Sequence, residues 1–239
     1  MAVGHDAASE SAVSTSASSF SWSHPGTASA QGAIVFVVSI QGTSDVTSVT
    51  YGGVAMTLVG RGADTDTEPG TVDCYYLDGV ATGTQTVVVN RVNDATQMMG
   101  MCATVTAASA TETYGPGRVT QGGSAQNTGA DTSGTGTGGY TEVGVDDGSP
   151  GTNSLRYAAG YYGGASPPST GASSTLLNNH DFTAFGWSMV RQTTAGQGSL
   201  NVGFSAAADD RAAVYIAVRE TPAAPPAPKG GTLLAMGVG

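Results

Sequence analysis

The chain has 239 residues, of which 39% are hydrophobic and only 11% charged, and its formal net charge is −10. That length suits one large domain or two small ones, and 36 glycines argue against a helical protein, because each costs about 1 kcal/mol relative to alanine inside a helix. With a single lysine (Lys229) and no basic run, the chain lacks the cationic face that nucleic acid or an anionic membrane surface requires, so neither is an expected partner.

In chain order, the start MAVGHDAASE carries neither the basic nor the apolar region of a signal peptide, which predicts a chain that folds where it is made. Ser11 to Trp22 is Ser-rich, and its apolar residues are too sparse for a helical stripe. His24 precedes Pro25 and reads as part of a turn. Ala33 to Ile40 (AIVFVVSI) is a continuous apolar run, which predicts a central strand buried on both faces. Val46 to Tyr51 and Val54 to Val59 flank Gly52-Gly53, a two-residue hairpin signal. Further strands are predicted over Val72 to Leu77, Thr84 to Asn90 and Met98 to Ala107.

Residues 115–139 are a Gly/Ser/Thr-rich stretch, read as a surface excursion with an irregular strand at Arg118 to Ala125. Strands resume at Leu155 to Tyr162, Phe182 to Arg191, Ser199 to Ser205 and Ala212 to Arg219, the last with Val214, Ile216 and Val218 on one face. About ten short strands separated by turn signals predict an all-β antiparallel sandwich over residues 1–220. The composition then changes to a Pro-rich linker and tail over residues 221–239. Leu233, Leu234 and Met236 are the expected anchors of that C-terminal arm on a neighbouring chain.

The chain shows no arrangement that predicts catalysis. His5, His24 and His180 have no serine on a GxSxG elbow to serve, and His180-Asp181 reads as a loop pair. Gly134 to Gly139 matches GxGxxG by letter only, inside a low-complexity stretch, so no nucleotide cofactor is expected. Asp64 to Glu68 opens like a calcium loop, but Pro69 interrupts it and Tyr75 stands where a bidentate glutamate belongs. Asp146-Asp147 and Asp209-Asp210 read as solvated turns, and no metal is expected. Cys74 and Cys102 read as two small buried thiols; a disulfide would need their strands to be neighbours. Tyr75-Tyr76 and Tyr161-Tyr162 place adjacent rings on opposite faces, so one of each pair is expected in the core and the other outward. Outward rings could stack on a surface glycan or fill a subunit interface.

The runs Gly32 to Val38, Val46 to Thr57 (VTSVTYGGVAMT), Tyr75 to Leu77 and Gly83 to Val89, with the opening Trp22-x-His24-Pro25, resemble a family of tailed-bacteriophage virion proteins. These are described as minor tail, minor capsid or head decoration proteins. The resemblance covers residues 20 to 110 closely and the rest, to about residue 220, in general character only, and related domains occur in bacterial surface proteins. It implies a jelly-roll-like β-sandwich and no catalytic residues. It implies a structural role on the exterior of capsid or tail, with major capsid or tail subunits and copies of the chain itself as partners. The location implied is the virion, assembled in the host cytoplasm. The alternative is a carbohydrate-binding module for attachment to a host surface.

Overall fold

A computed structural model describes residues 3–15, 17–40, 45–63, 70–92, 97–106, 110–112, 121–123, 126–127, 140–143, 154–163, 168–170, 174–181, 185–192, 200–204 and 211–219. All its regular elements are strands in antiparallel sheets. The first half holds β1 (Gly4–Glu10), β2 (Ser19–Pro25), β3 (Ala30–Ile40), β4 (Val46–Tyr51), β5 (Val54–Ala55), β6 (Thr57–Ala63), β7 (Gly70–Asp78), β8 (Thr84–Arg91) and β9 (Gln97–Thr106). Sheet A runs β1-β9-β3-β7-β6 and sheet B runs β2-β8-β4-β5. This is the strand order of a jelly roll, two interlocked Greek keys in two facing sheets. Strands β5 and β6 are one extended run that leaves the end of sheet B and joins the end of sheet A, with Met56 buried between them.

The second half holds β10 (Ala110–Glu112), β11 (Gln121–Gly123), β12 (Gln126–Asn127), β13 (Tyr140–Val143), β14 (Ser154–Gly163), β15 (Pro168–Thr170), β16 (Ser174–Asp181), β17 (Phe185–Gln192), β18 (Leu200–Phe204) and β19 (Arg211–Arg219). Sheet C runs β12-β11-β19-β14-β17-β16, with β10 also pairing β19, and a small sheet runs β13-β18-β15.

Sheet A is the middle layer of three. Along β3, side chains alternate between two separate cores. Ile34, Phe36, Val38 and Ile40 enter a core shared with Tyr157, Tyr161, Trp187, Met189, Val214, Ile216 and Val218 of sheet C. Ala33, Val35 and Val37 enter a core shared with Trp22, Val49, Tyr51, Val87 and Val89 of sheet B. The unbroken apolar run therefore forms the strand expected of it, and Val214, Ile216 and Val218 share one buried face as their spacing predicts.

Local chemistry fixes two features. Gly52 and Gly53 sit at φ 58° and 82°, the left-handed pair that a tight two-residue hairpin needs, and join β4 to β5. On β9, a Cβ at Gly100 would come within 2.2 Å of the Trp22 ring, so glycine is what lets the indole approach the strand this closely.

Several expectations change. His24 lies inside β2 and Pro25 is that strand's last residue, because an end-of-sheet strand tolerates proline. His180 lies in β16 rather than a loop. Val54 to Val59 divides at Met56. Tyr75 and Tyr76 are both buried, on opposite cores, because both faces of sheet A are covered. Cys74 and Cys102, by contrast, are the buried free thiols expected of them, on opposite faces with β3 between their strands. Burial pushes both thiols well above their ordinary range.

Candidate functional site

The densest polar constellation lies where β1, β2 and β9 meet between sheets A and B. The register of β1 against β9 shifts at Asp6, between His5 and Ala7. That bulge turns the Asp6 carboxylate toward Thr104 on the sheet B side, while His5 faces Tyr157 on the sheet C side. Thr104 Oγ1 donates to Asp6 Oδ2 at 2.8 Å, and Thr27 donates to the same carboxylate from its hydroxyl and, at 3.0 Å, from its backbone N–H. Beyond Thr104 lies His24 Nε2 at 3.0 Å, and His24 Nδ1 lies 2.7 Å from Ser9 Oγ. Trp22 Nε1–H donates to Ser9 Oγ at 3.0 Å.

These contacts fix every proton. Asp6 only accepts, so Thr104 gives it its proton and must accept from His24 Nε2–H. His24 Nδ1 is then bare and accepts from Ser9, whose oxygen accepts from Trp22. The chain runs in one direction from indole to carboxylate and holds His24 in one neutral tautomer. Burial lowers the His24 pKa to about 4, with Asp6 opposing and His5 adding to the shift. Burial pushes Asp6 up, but the bonds from Thr27 and Thr104 outweigh it and its pKa is lowered.

Serine, histidine and aspartate thus come together, yet the chemistry is that of a clamp. A general base works best with a pKa near the working pH, and His24 is wholly buried and far below it. The Ser9 oxygen is already occupied by the Trp22 N–H. The His24–Thr104 contact ties sheet B to sheet A across a sequence separation of 80 residues, and the Thr104–Asp6 bond ties β9 to β1 within sheet A across 98. Replacing Thr104 with isosteric valine removes the acceptor of His24 and one donor to Asp6. The expected cost is about 2 kcal/mol, read as a lower urea midpoint at unchanged m-value.

A second tie joins sheet A to sheet C. His5 Nδ1 lies 3.1 Å from Tyr157 Oη, with the rings tilted at 5.9 Å. Burial, then Arg191, bring the His5 pKa down to about 4, and burial pushes Tyr157 up. Elsewhere, Arg61 grips the wholly buried Asp73 with two bonds, Nε to Oδ1 at 2.5 Å and Nη2 to Oδ2 at 3.0 Å.

The remaining sequence candidates are placed as follows. The half-buried His180 ring stacks on Trp187 at 5.6 Å and lies near enough to Glu10 of β1 to oppose the upward push of burial on that carboxyl. Residues 64–68, 146–147, 209–210 and the C-terminal anchors Leu233, Leu234 and Met236 lie outside the described residues. Among the described residues, no group of three or more His, Cys, Asp or Glu is placed to hold a metal ion. Among the described side chains, the Phe, Tyr and Trp rings are buried, apart from the half-buried Phe20, which stacks on Trp22 at 6.1 Å. The outer face of sheet B is uncharged where it is exposed, with Ser19, Ser21, Ser23, Thr84 and Thr86 along β2 and β8. Compared with family models, curated proteins and solved structures, the chain matches none.

Proposed function

We propose that the chain is a structural subunit of a tailed-phage virion, decorating or stabilising the exterior of the capsid or tail. The observation that supports this best is the jelly-roll strand order of sheets A and B. Apart from β1, it falls on the segment, residues 20 to 110, whose sequence resembles phage virion proteins. The polar clamp and the doubly covered middle sheet suit a mechanical task. An uncharged outer face suits contact with other virion proteins and with copies of the chain, and the arm at Leu233, Leu234 and Met236 would bind a neighbour. The glycan-binding alternative calls for exposed rings lining a groove, and the described side chains offer none.

The test is density-gradient purification of particles from a lysate that contains this chain, followed by antibody labelling of intact particles. The chain is expected to band with the particles and to be labelled without opening them. A chain left in the soluble fraction, or labelled only after disruption, would overturn the proposal.

A further inference from the structure

Sheet ends are hazards, because a row of unpaired main-chain groups can template another strand. Most of the described ends here are guarded. Strand β1 carries a register shift at Asp6 and ends at Glu10. Strand β6 carries a shift between Leu58 and Gly60 and the charge of Arg61. Strand β16 carries a shift between Leu176 and Asn178 and ends at Asp181. Strands β5 and β12 have two residues each. Strand β2 differs. It has seven residues (SFSWSHP), no acidic or basic side chain other than the buried neutral His24, and an unbroken register with β8. Among the described residues no strand pairs with its other side.

The hydrogen bonds show which groups face that side. Arg91 N–H donates to Ser18 O at 2.9 Å, and Gly52 N–H donates to Thr86 O at 2.9 Å. Alternation from these two bonds turns residues 20, 22 and 24 of β2 toward β8. The N–H and C=O groups of Ser19, Ser21 and Ser23 therefore point away from the sheet. Pro25 has no N–H and stops the row. Within this row, Ser19-Phe20-Ser21-Trp22-Ser23 reads alike in both directions about Ser21: exposed serine on the outer face, aromatic ring on the inner one.

We propose that β2 is a two-fold interface, pairing antiparallel with β2 of a second copy about Ser21. Ser21 exchanges both main-chain bonds with Ser21 of the partner subunit, and Ser19 does so with Ser23 of the partner subunit. Sheet B becomes one continuous eight-stranded sheet across the pair. On the inner face, Phe20 meets Trp22 of the partner subunit and its half-exposed ring is covered. The self-complementary sequence is what selects a second copy over an unrelated strand. This deepens the reading of the chain as a self-associating structural subunit, but the pairing itself needs no particle.

The full chain is expected to sediment as a concentration-dependent dimer. Ser21→Pro removes an N–H that β8 does not use, so it should raise the dimer dissociation constant at least about tenfold and leave the melting curve near that of the parent. Thr50→Lys, on the same outer face two strands away, should leave the dimer intact. Because Ser21→Pro could impair folding, register is read independently by cysteine trapping. Directly paired residues lie about 5.5 Å apart at Cα, within disulfide reach, so Ser21→Cys should trap the dimer on mild oxidation. Two copies of Ser19→Cys would lie about 14 Å apart and should not. A chain that is monomeric at every concentration would overturn the proposal, as would a dimer equally trapped by both cysteines. A dimer that forms while the chain is absent from particles would sink the virion reading and leave this interface standing.

Discussion

Truncating Phe36 to alanine is expected to cost about 3–5 kcal/mol, and truncating its neighbour Val35 about 2 kcal/mol. Both side chains are fully buried, Phe36 against sheet C and Val35 against sheet B. In a sheet with one wet face, adjacent positions alternate, and one of two neighbours can be cut back almost freely. Here neither can. Thr86→Ala on the exposed face of β8 supplies the contrast and should stay within about 0.5 kcal/mol of the parent. Urea denaturation of the three variants reads the difference. A Val35→Ala variant as stable as the parent would mean that sheet B does not seal that face.

Acidification from pH 7 to pH 4 is the second large effect. His24 has a folded pKa of about 4 against 6.5 for a free histidine. Above pH 6.5 both states are neutral, and this group contributes no pH dependence. Below it the unfolded chain takes up the proton and the folded chain resists. Stability therefore falls by about 1.4 kcal/mol per pH unit, or about 3 kcal/mol by pH 4, through His24 alone. His5 shifts in the same direction to about 4 and adds to the loss over the same window. Asp6, whose pKa is lowered from 3.8, contributes stability that is lost as the pH falls further through its folded value. Glu10, raised by burial, opposes these, because its protonation favours the folded state. The urea midpoint is expected to drop steeply between pH 6.5 and 4, and the slope to shrink in His24→Gln even though that variant is less stable at pH 7. A midpoint unchanged down to pH 5 would contradict the buried neutral histidine.

Much of the frame is legible in local sequence. AIVFVVSI announces a strand covered on both faces, Gly52-Gly53 announces a tight hairpin, and the spacing of Val214, Ile216 and Val218 gives the buried face of β19. The clamp is not legible, because its members are far apart in the chain. Asp6 and Ser9 sit in a run with no apolar alternation, Thr104 is a polar residue inside a largely apolar predicted strand, and only the pairing of β1 with β9 beneath β2 brings them to His24. Strand β1 itself, GHDAASE, shows no strand pattern, since its faces carry polar ties with little apolar packing beyond Ala8. Tyr75 and Tyr76 mislead for a related reason. Period-two reasoning correctly puts them on opposite faces, but whether a face is wet depends on a second sheet contributed from residues 154–219.

The middle position of sheet A is tested most directly by native-state hydrogen exchange along β3. The amides of Ile34 to Val38 are expected to exchange only through global unfolding, with protection free energies equal to the equilibrium stability and the same dependence on denaturant. Exchange of those amides through a smaller opening, with sheet B or sheet C still protected, would contradict a β3 locked between two cores.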